Sequence, residues 1–292
     1  MRISLVFFLL FFFLTASKAQ TSKSIINPED HVTLHTYEDT LGFLGFAFVN
    51  DSLPETRFAA VRKFIPTLVK ALKVKNSFSY PFERLRTVSI QYDPDSTFRI
   101  FTWQLFVDDN TYRYFGAIQM NTPELELFPL MDRSANMTAV DVQELKNDNW
   151  YGNLYYKIQP FDSPEGRRYL LFGMEYYDFH TRRKLIDVLS FDESGKPYFG
   201  ANVFSSDSQP DRFDSKKRII LQYSAQANIS SNFNESMGIV VFDHLKTISL
   251  PSGPTAIPDG SYEGLQLQEG KWVHIEKLFN QVSDEAPRPE PV

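Results

Sequence analysis

The sequence predicts an α+β protein, an N-terminal αα-hairpin packed on a large antiparallel β meander that closes as a sandwich, an open barrel or a propeller-like array. Three observations predict it. Apolar residues recur every three or four positions over the hairpin, residues 28–75, and every second position over the β-rich part, residues 84–245. The strand-like stretches follow one another with turn residues between them and mostly no helical pattern, which favours antiparallel pairing. Finally, 292 residues with 42% apolar and 15% aromatic side chains suffice for a substantial core. One α+β domain over residues 20–250 is expected, preceded by a leader over 1–19. It is followed over 251–292 by an extended segment with one possible strand.

The leader is the strongest functional signal. Arg2 precedes the unbroken apolar run Leu5–Leu14, and Ser17 and Ala19 occupy the −3 and −1 positions of a cleavage site before Gln20. Such a run is too short to span a bilayer, which takes about 20 residues. An uncleaved anchor is the alternative. No later stretch has transmembrane length, so a periplasmic or extracellular protein cleaved near Ala19 is expected. The chain has no cysteine, which excludes disulfides, thiolate metal sites, a Cys nucleophile and a lipoprotein anchor. Export without disulfides fits a bacterial envelope better than a eukaryotic secretory route. Sequons at Asn50, Asn136, Asn228 and Asn234 would matter only in the latter. A net charge of −6 argues against nucleic acid as a partner.

The first helix starts at Asn27-Pro28-Glu29-Asp30, with a capping Asn, Pro at the first helical position and acids at the positive end of the dipole. Leu34, Tyr37, Leu41, Leu44 and Phe48 form its apolar stripe. Gly42 and Gly45 each cost about 1 kcal/mol inside a helix, unless they mark close contact with a neighbour. Ser52 and Glu55 have capping-box spacing for a second helix, with Phe58, Val61, Ile65, Leu68 and Leu72 as its stripe. Arg57, Arg62, Lys63, Lys70 and Lys73 lie mostly off that stripe, and Pro66 should kink it.

Strands are expected over 86–92, 97–107, 111–120, 150–159, 168–177, 184–191, 198–204, 218–223 and 238–243. Leu250–Gly260, with three prolines, reads as an extended linker. A last strand is expected over 271–278, and residues 283–292 read as a frayed end.

Several blocks carry a resemblance. They are Arg57–Leu72 followed by Asn76–Phe82, Phe98–Trp103, Trp150–Ile158, Lys184–Leu189 and Val241–Leu245. With these the chain resembles a family of exported, leader-bearing proteins of Bacteroidetes-type bacteria that carries no established function. The resemblance implies an extracytoplasmic bacterial protein and assigns no catalytic or ligand-binding residue.

Local enzyme signatures are absent: no G-x-S-x-G elbow, no phosphate-binding G-x-x-x-x-G-K-[ST] and no H-E-x-x-H. A site assembled from distant residues stays open, and no cofactor is predicted. His31, His35 and Asp39 fall at i, i+4 and i+8, with Glu38 close by, where two imidazoles and a carboxylate could hold Zn²⁺ or another transition metal. Polar residues opposite an apolar stripe are equally what an ordinary surface helix carries. Asp93/Asp95, Asp108/Asp109 and Asp207/Asp211/Asp214 put carboxylates in turns but lack a Ca²⁺-loop order. Asp243-His244 are strand neighbours, which point to opposite faces and so make a poor dyad.

The aromatic surplus is the more informative clue. Trp150, Tyr151, Tyr155, Tyr156, Tyr176 and Tyr177 sit on consecutive expected strands. With an unbroken pleat, Tyr151 and Tyr155 share one face, and Trp150 and Tyr156 the other. One face could build core while the other offers rings and hydroxyls to a sugar or peptide. The leading expectation is a non-enzymatic envelope protein that binds a glycan, a peptide or an envelope protein. The alternative is a metal-dependent hydrolase or another enzyme of unfamiliar type.

Overall fold

The computed structural model describes residues 25–108, 110–250 and 253–278. The expected leader, Asp109 and the expected frayed end lie outside the described residues. Two helices come first, α1 (Pro28–Asn50) and α2 (Pro54–Leu72). Strands β1 (Ser89–Tyr92), β2 (Phe98–Asp108), β3 (Thr111–Met120) and β4 (Leu127–Met131) follow. Next come β5 (Leu145–Lys146), β6 (Leu154–Ser163), β7 (Gly166–Tyr176), β8 (Thr181–Phe191), β9 (Pro197–Phe199) and β10 (Phe204–Ser205). After the one-turn α3 (Pro210–Phe213) the chain closes with β11 (Ile219–Ser224), β12 (Ser231–Asn234), β13 (Ile239–Leu250), β14 (Gly253–Gln268) and β15 (Lys271–Ile275).

The strands form three open sheets rather than a closed barrel. The first has the order β1-β2-β3-β4. The second runs β5-β9-β8-β7-β6, with β11 also paired to β8, and the third runs β10-β15-β14-β13-β12. All pairs are antiparallel except β10 with β15.

Alternation along the strands stacks these sheets in layers. Phe101, Trp103 and Leu105 of β2 face the helices, in one core with Leu41, Phe48, Phe64 and Leu68. Phe98 and Ile100 of the same strand face the second sheet, where Leu171, Leu185 and Leu189 meet them. Leu170 and Phe172 of β7, with Ile186 and Val188 of β8, point the other way, to Val240, Phe242, Leu265 and Trp272 of the third sheet. The order is helices, first sheet, second sheet, third sheet. A strand between two layers is covered on both sides, which is why β2 is buried over Phe98–Trp103 without a solvent face, its Arg99 donating to Gln119 and to the Tyr80 and Ser77 carbonyls.

The helical details divide. Asn27 caps α1, its side chain accepting from the Asp30 N–H at 2.8 Å. Gly45 is a contact glycine, since a Cβ there would lie 2.4 Å from Thr87 Oγ1. The Ser52/Glu55 capping box does not form, because Leu53 occupies the N-cap and Asp51 Oδ1 accepts its N–H instead. Helix α2 runs through Pro66.

The segment expected as a linker is strand from Gly253 onward. Residues from Gly253 onward in β14 pair with β13, Leu250 opposite Gly253 and Leu245 opposite Pro258. Prolines lack a ladder donor but keep a carbonyl, so a strand with a free edge at that end accommodates them.

Candidate functional site

The most chemically varied concavity is a cleft of about 630 Å³, lined by Tyr112, Tyr114, Tyr151, Glu175, Tyr176, Tyr177 and Arg183 among others. It opens where β3 begins, β7 ends and β8 begins. Antiparallel register puts Glu175 directly opposite Arg183 and Tyr176 opposite Arg182, so one hairpin supplies an acid, two guanidinium cations and two rings.

Tyr151 is carried to the same place by the extended segment that precedes β6. That segment is held against the end of β4 by Asp132, whose Oδ1 accepts the Gly152 N–H. Gly152 permits the approach, since a Cβ there would lie 2.5 Å from the Asp132 carboxyl.

The floor is a connected polar chain. Tyr151 donates its hydroxyl to Glu175 Oε2 at 2.6 Å and accepts from Arg183 Nη1 at 2.6 Å. The Arg183 fork is completed by Gln222 Oε1, which accepts from Nε and Nη2 at 2.9 and 2.7 Å. Arg183 lies 3.8 Å from Glu175 and stacks over the Tyr177 ring at 3.4 Å. Arg182 covers the Tyr176 ring at 4.6 Å, and Tyr112 meets that ring at 5.3 Å. Tyr114 Oη accepts the Tyr176 N–H, fixing the wall.

Glu175 is buried, and desolvation pushes its carboxyl up to about 7 against the pull of Tyr151 and Arg183. The Tyr151 hydroxyl is pushed up by burial and by Glu175. The arrangement puts rings at the rim, Tyr176 and Tyr177 each with an arginine over one face, and, beneath them, an acid near neutrality, a guanidinium and hydroxyls.

No protein-family model, curated protein or solved structure matches this chain.

The six expected aromatics part company. Tyr151, Tyr176 and Tyr177 line the cleft. Trp150 and Tyr155 are core, with Trp150 Nε1 donating to Tyr155 Oη at 3.0 Å. Tyr156 turns toward the third sheet, where its hydroxyl donates to the Ser231 carbonyl. The unbroken pleat fails for two reasons. Residues 150–153 precede the strand, and a bulge between Tyr155 and Lys157 shifts the register.

His31, His35 and Asp39 share α1 without forming a ligand set. His31 packs edge-on against Tyr80, and Asp39 pairs with Arg84, as does Glu38. Among the described residues no group of three or more His, Asp or Glu could hold a metal. Several carboxylates of the acidic turns have protein partners: Asp93 accepts from Thr97, Asp95 pairs with Arg167 and Asp214 accepts the Ser206 N–H. Asp243 and His244 diverge, Asp243 to Ser230 and His244 to Asp259 at 2.9 Å.

A second polar chain is sealed between α3 and the third sheet. Ser206 Oγ lies 3.1 Å from His274 Nδ1, and His274 Nε2 lies 2.7 Å from Glu263 Oε2. Arg212 Nη1 reaches both Glu263 oxygens, at 2.7 and 2.9 Å. The order Ser–His–Glu is that of a hydrolytic triad. However, Ser206 is buried and its Oγ already accepts the Gln209 N–H, while Phe213 stacks on the imidazole at 4.2 Å. With the Ser206 hydroxyl so engaged, the chain ties α3 to β14 and β15.

Sequence reasoning missed Glu175, Arg183, Tyr112 and Tyr114. A signal existed for the first two. Glu175 is a lone acid in the apolar run Leu170–Tyr177, and folding that run back through a short turn brings it opposite Arg183.

Proposed function

We propose that the protein is exported and binds a polyhydroxylated ligand, a glycan segment, non-covalently in the cleft between Tyr112, Tyr151, Tyr176 and Tyr177. The observation that carries this reading is the pairing of ring faces with a connected Tyr151–Glu175–Arg183 floor. A sugar presents C–H faces that stack on rings and hydroxyls that both donate and accept, and this floor offers both roles. The volume falls within the roughly 300–1,000 Å³ of small-molecule sites. Export and membership of the Bacteroidetes-type family belong to the same proposal. They rest on the leader pattern at residues 1–19 and on the sequence blocks named above.

An enzyme at the same place is the second reading, favoured by one observation: a buried carboxyl near neutrality can give and take protons at physiological pH.

Saturation-transfer NMR with cello-, malto- and chitotetraose tests both. Transfer from one of these sugars that weakens about tenfold or more in Tyr177→Ala, with the fold intact, is the expected result. Tyr177 is 43% exposed, so its removal leaves the core alone. Signals unchanged by Tyr177→Ala and Tyr176→Ala would remove the cleft from the proposal. Release of new reducing ends, abolished in Glu175→Gln, would replace binding by hydrolysis.

A further inference from the structure

The helical layer carries a surface that the cleft does not use. Phe43 and Phe46 of α1 are 76% and 65% exposed, and Val49 and Leu53 continue the stripe toward the hairpin turn. From Thr40 to Asn50 the helix has no charged residue. Exposed phenylalanines in line mark a contact surface rather than chance, since monomers seldom leave such stripes uncovered.

The neighbouring helix answers with charge. Arg62, Lys63, Lys70, Lys73 and, just beyond α2, Lys75 are all exposed, while the whole chain is acidic. None of the five is in an ion pair with a described residue, in contrast to Arg84, Arg167, Arg183, Arg212 and Arg218. Both helices pack on β2, so their solvent faces look the same way, outward from the first sheet.

We infer that this face docks on an anionic lipid bilayer, the phenylalanines entering the headgroup–acyl boundary and the lysines and arginine meeting lipid phosphates. An apolar stripe flanked by cations is the composition of an interfacial helix. Each basic group near an anionic surface strengthens attachment about fivefold, and each buried large apolar side chain about tenfold or more. Charge selects this occupant over a second copy. The five cations of the α2 side lie beside the apolar stripe, where self-association along that stripe would bring them against one another. The exposed acids of the layer, Glu29, Asp39 and Glu55, lie outside the Thr40–Asn50 stretch. Size does so as well: a stable protein interface needs about 800 Å² per partner, more than one line of four side chains supplies. The attachment is peripheral, as no described helix is long and apolar enough to cross a membrane.

The test is co-sedimentation of the protein, purified after export with its start confirmed by intact mass. Two vesicle preparations serve, one with phosphatidylglycerol in phosphatidylethanolamine and one of phosphatidylcholine alone. Binding to the anionic vesicles at low salt is expected, at least tenfold weaker on the neutral ones. Phe43→Ser and Phe46→Ser should each lower partitioning about tenfold. The pair Lys63→Glu with Lys70→Glu should lower it further while leaving Tm unchanged. Equal binding to both vesicles, or no loss in the Phe variants, overturns the proposal. So does a dimer in light scattering that Phe43→Ser dissolves, which would assign the face to a second copy. Tyr177→Ala, silent here and disruptive in the glycan experiment, keeps the two surfaces distinguishable.

Discussion

Two polar chains in this protein are built around a carboxylate and end in opposite electrostatic states. At the cleft, Glu175 has a tyrosine hydroxyl at 2.6 Å and a guanidinium at 3.8 Å, and burial still wins, lifting its carboxyl to about 7. Under α3, Glu263 is pushed up by burial too. There His274 and Arg212 both donate to it directly, and their hydrogen bonds hold it below the ordinary range. The difference is one of contact. A charge-assisted hydrogen bond offsets desolvation where a cation a further ångström away does not. The better satisfied carboxylate is the fully buried one, whose Arg212 partner is part-exposed, and the less satisfied one lies at an opening. A buried acid whose hydrogen-bonding capacity is unfilled, beside an open cleft, has capacity left for a ligand. One locked by two donors does not.

Breaking the sealed chain should cost most. Glu263→Ala leaves Arg212 and His274 without their shared acceptor, and about 3–5 kcal/mol of stability should be lost in urea unfolding. A loss under about 1 kcal/mol would mean that the network is dispensable.

The cleft acid should respond to pH with the opposite sign. Because the folded pKa of Glu175 is raised from 4.5 to about 7, its stabilising contribution is complete below pH 4.5 and declines as pH rises toward 7. That decline is on the order of 3 kcal/mol. Glu263, held low, contributes in the other direction, its stability present above the ordinary carboxylate range and lost on acidification. Glu175→Gln keeps an acceptor for Tyr151 and should flatten the decline between pH 4.5 and 7. An unchanged pH profile in that variant would show that Glu175 is not the titrating group.

The smallest effect is the most discriminating. Ser206→Ala removes one acceptor for the Gln209 N–H and should cost about 1–2 kcal/mol. The native protein should take up no fluorophosphonate at Ser206, as judged by intact mass. Labelling there would make the sealed chain a working triad and reverse the comparison.

Much of the fold was legible because its physics is local. The Asn27 cap, the Leu34–Leu41–Phe48 stripe and the strand at 111–120 each depend on residues within a turn or a pleat of one another. The short partner strands β4, β5 and β12 were not legible. They owe their existence to the neighbour they pair with rather than to a pattern of their own. The proline-bearing β14 belongs with them, its conformation imposed by the β13 ladder.

The site divides along the same line. By itself the sequence determined that aromatics would concentrate on the middle strands, because tyrosine and tryptophan are strand residues whose positions are written in the chain. Only the tertiary structure decided which of them see solvent. The extended segment before β6, the bulge after Tyr155 and the layer packed on each face sent Trp150 and Tyr155 into the core. They left Tyr151 buried with only its hydroxyl end at the cleft floor, and Tyr176 and Tyr177 at the opening. The meeting of Glu175 with Arg183 and Tyr151 likewise depends on register and on a segment arriving from outside the hairpin. Those are long-range choices, made by the free energy of burying whole faces at once, and no local spacing encodes them.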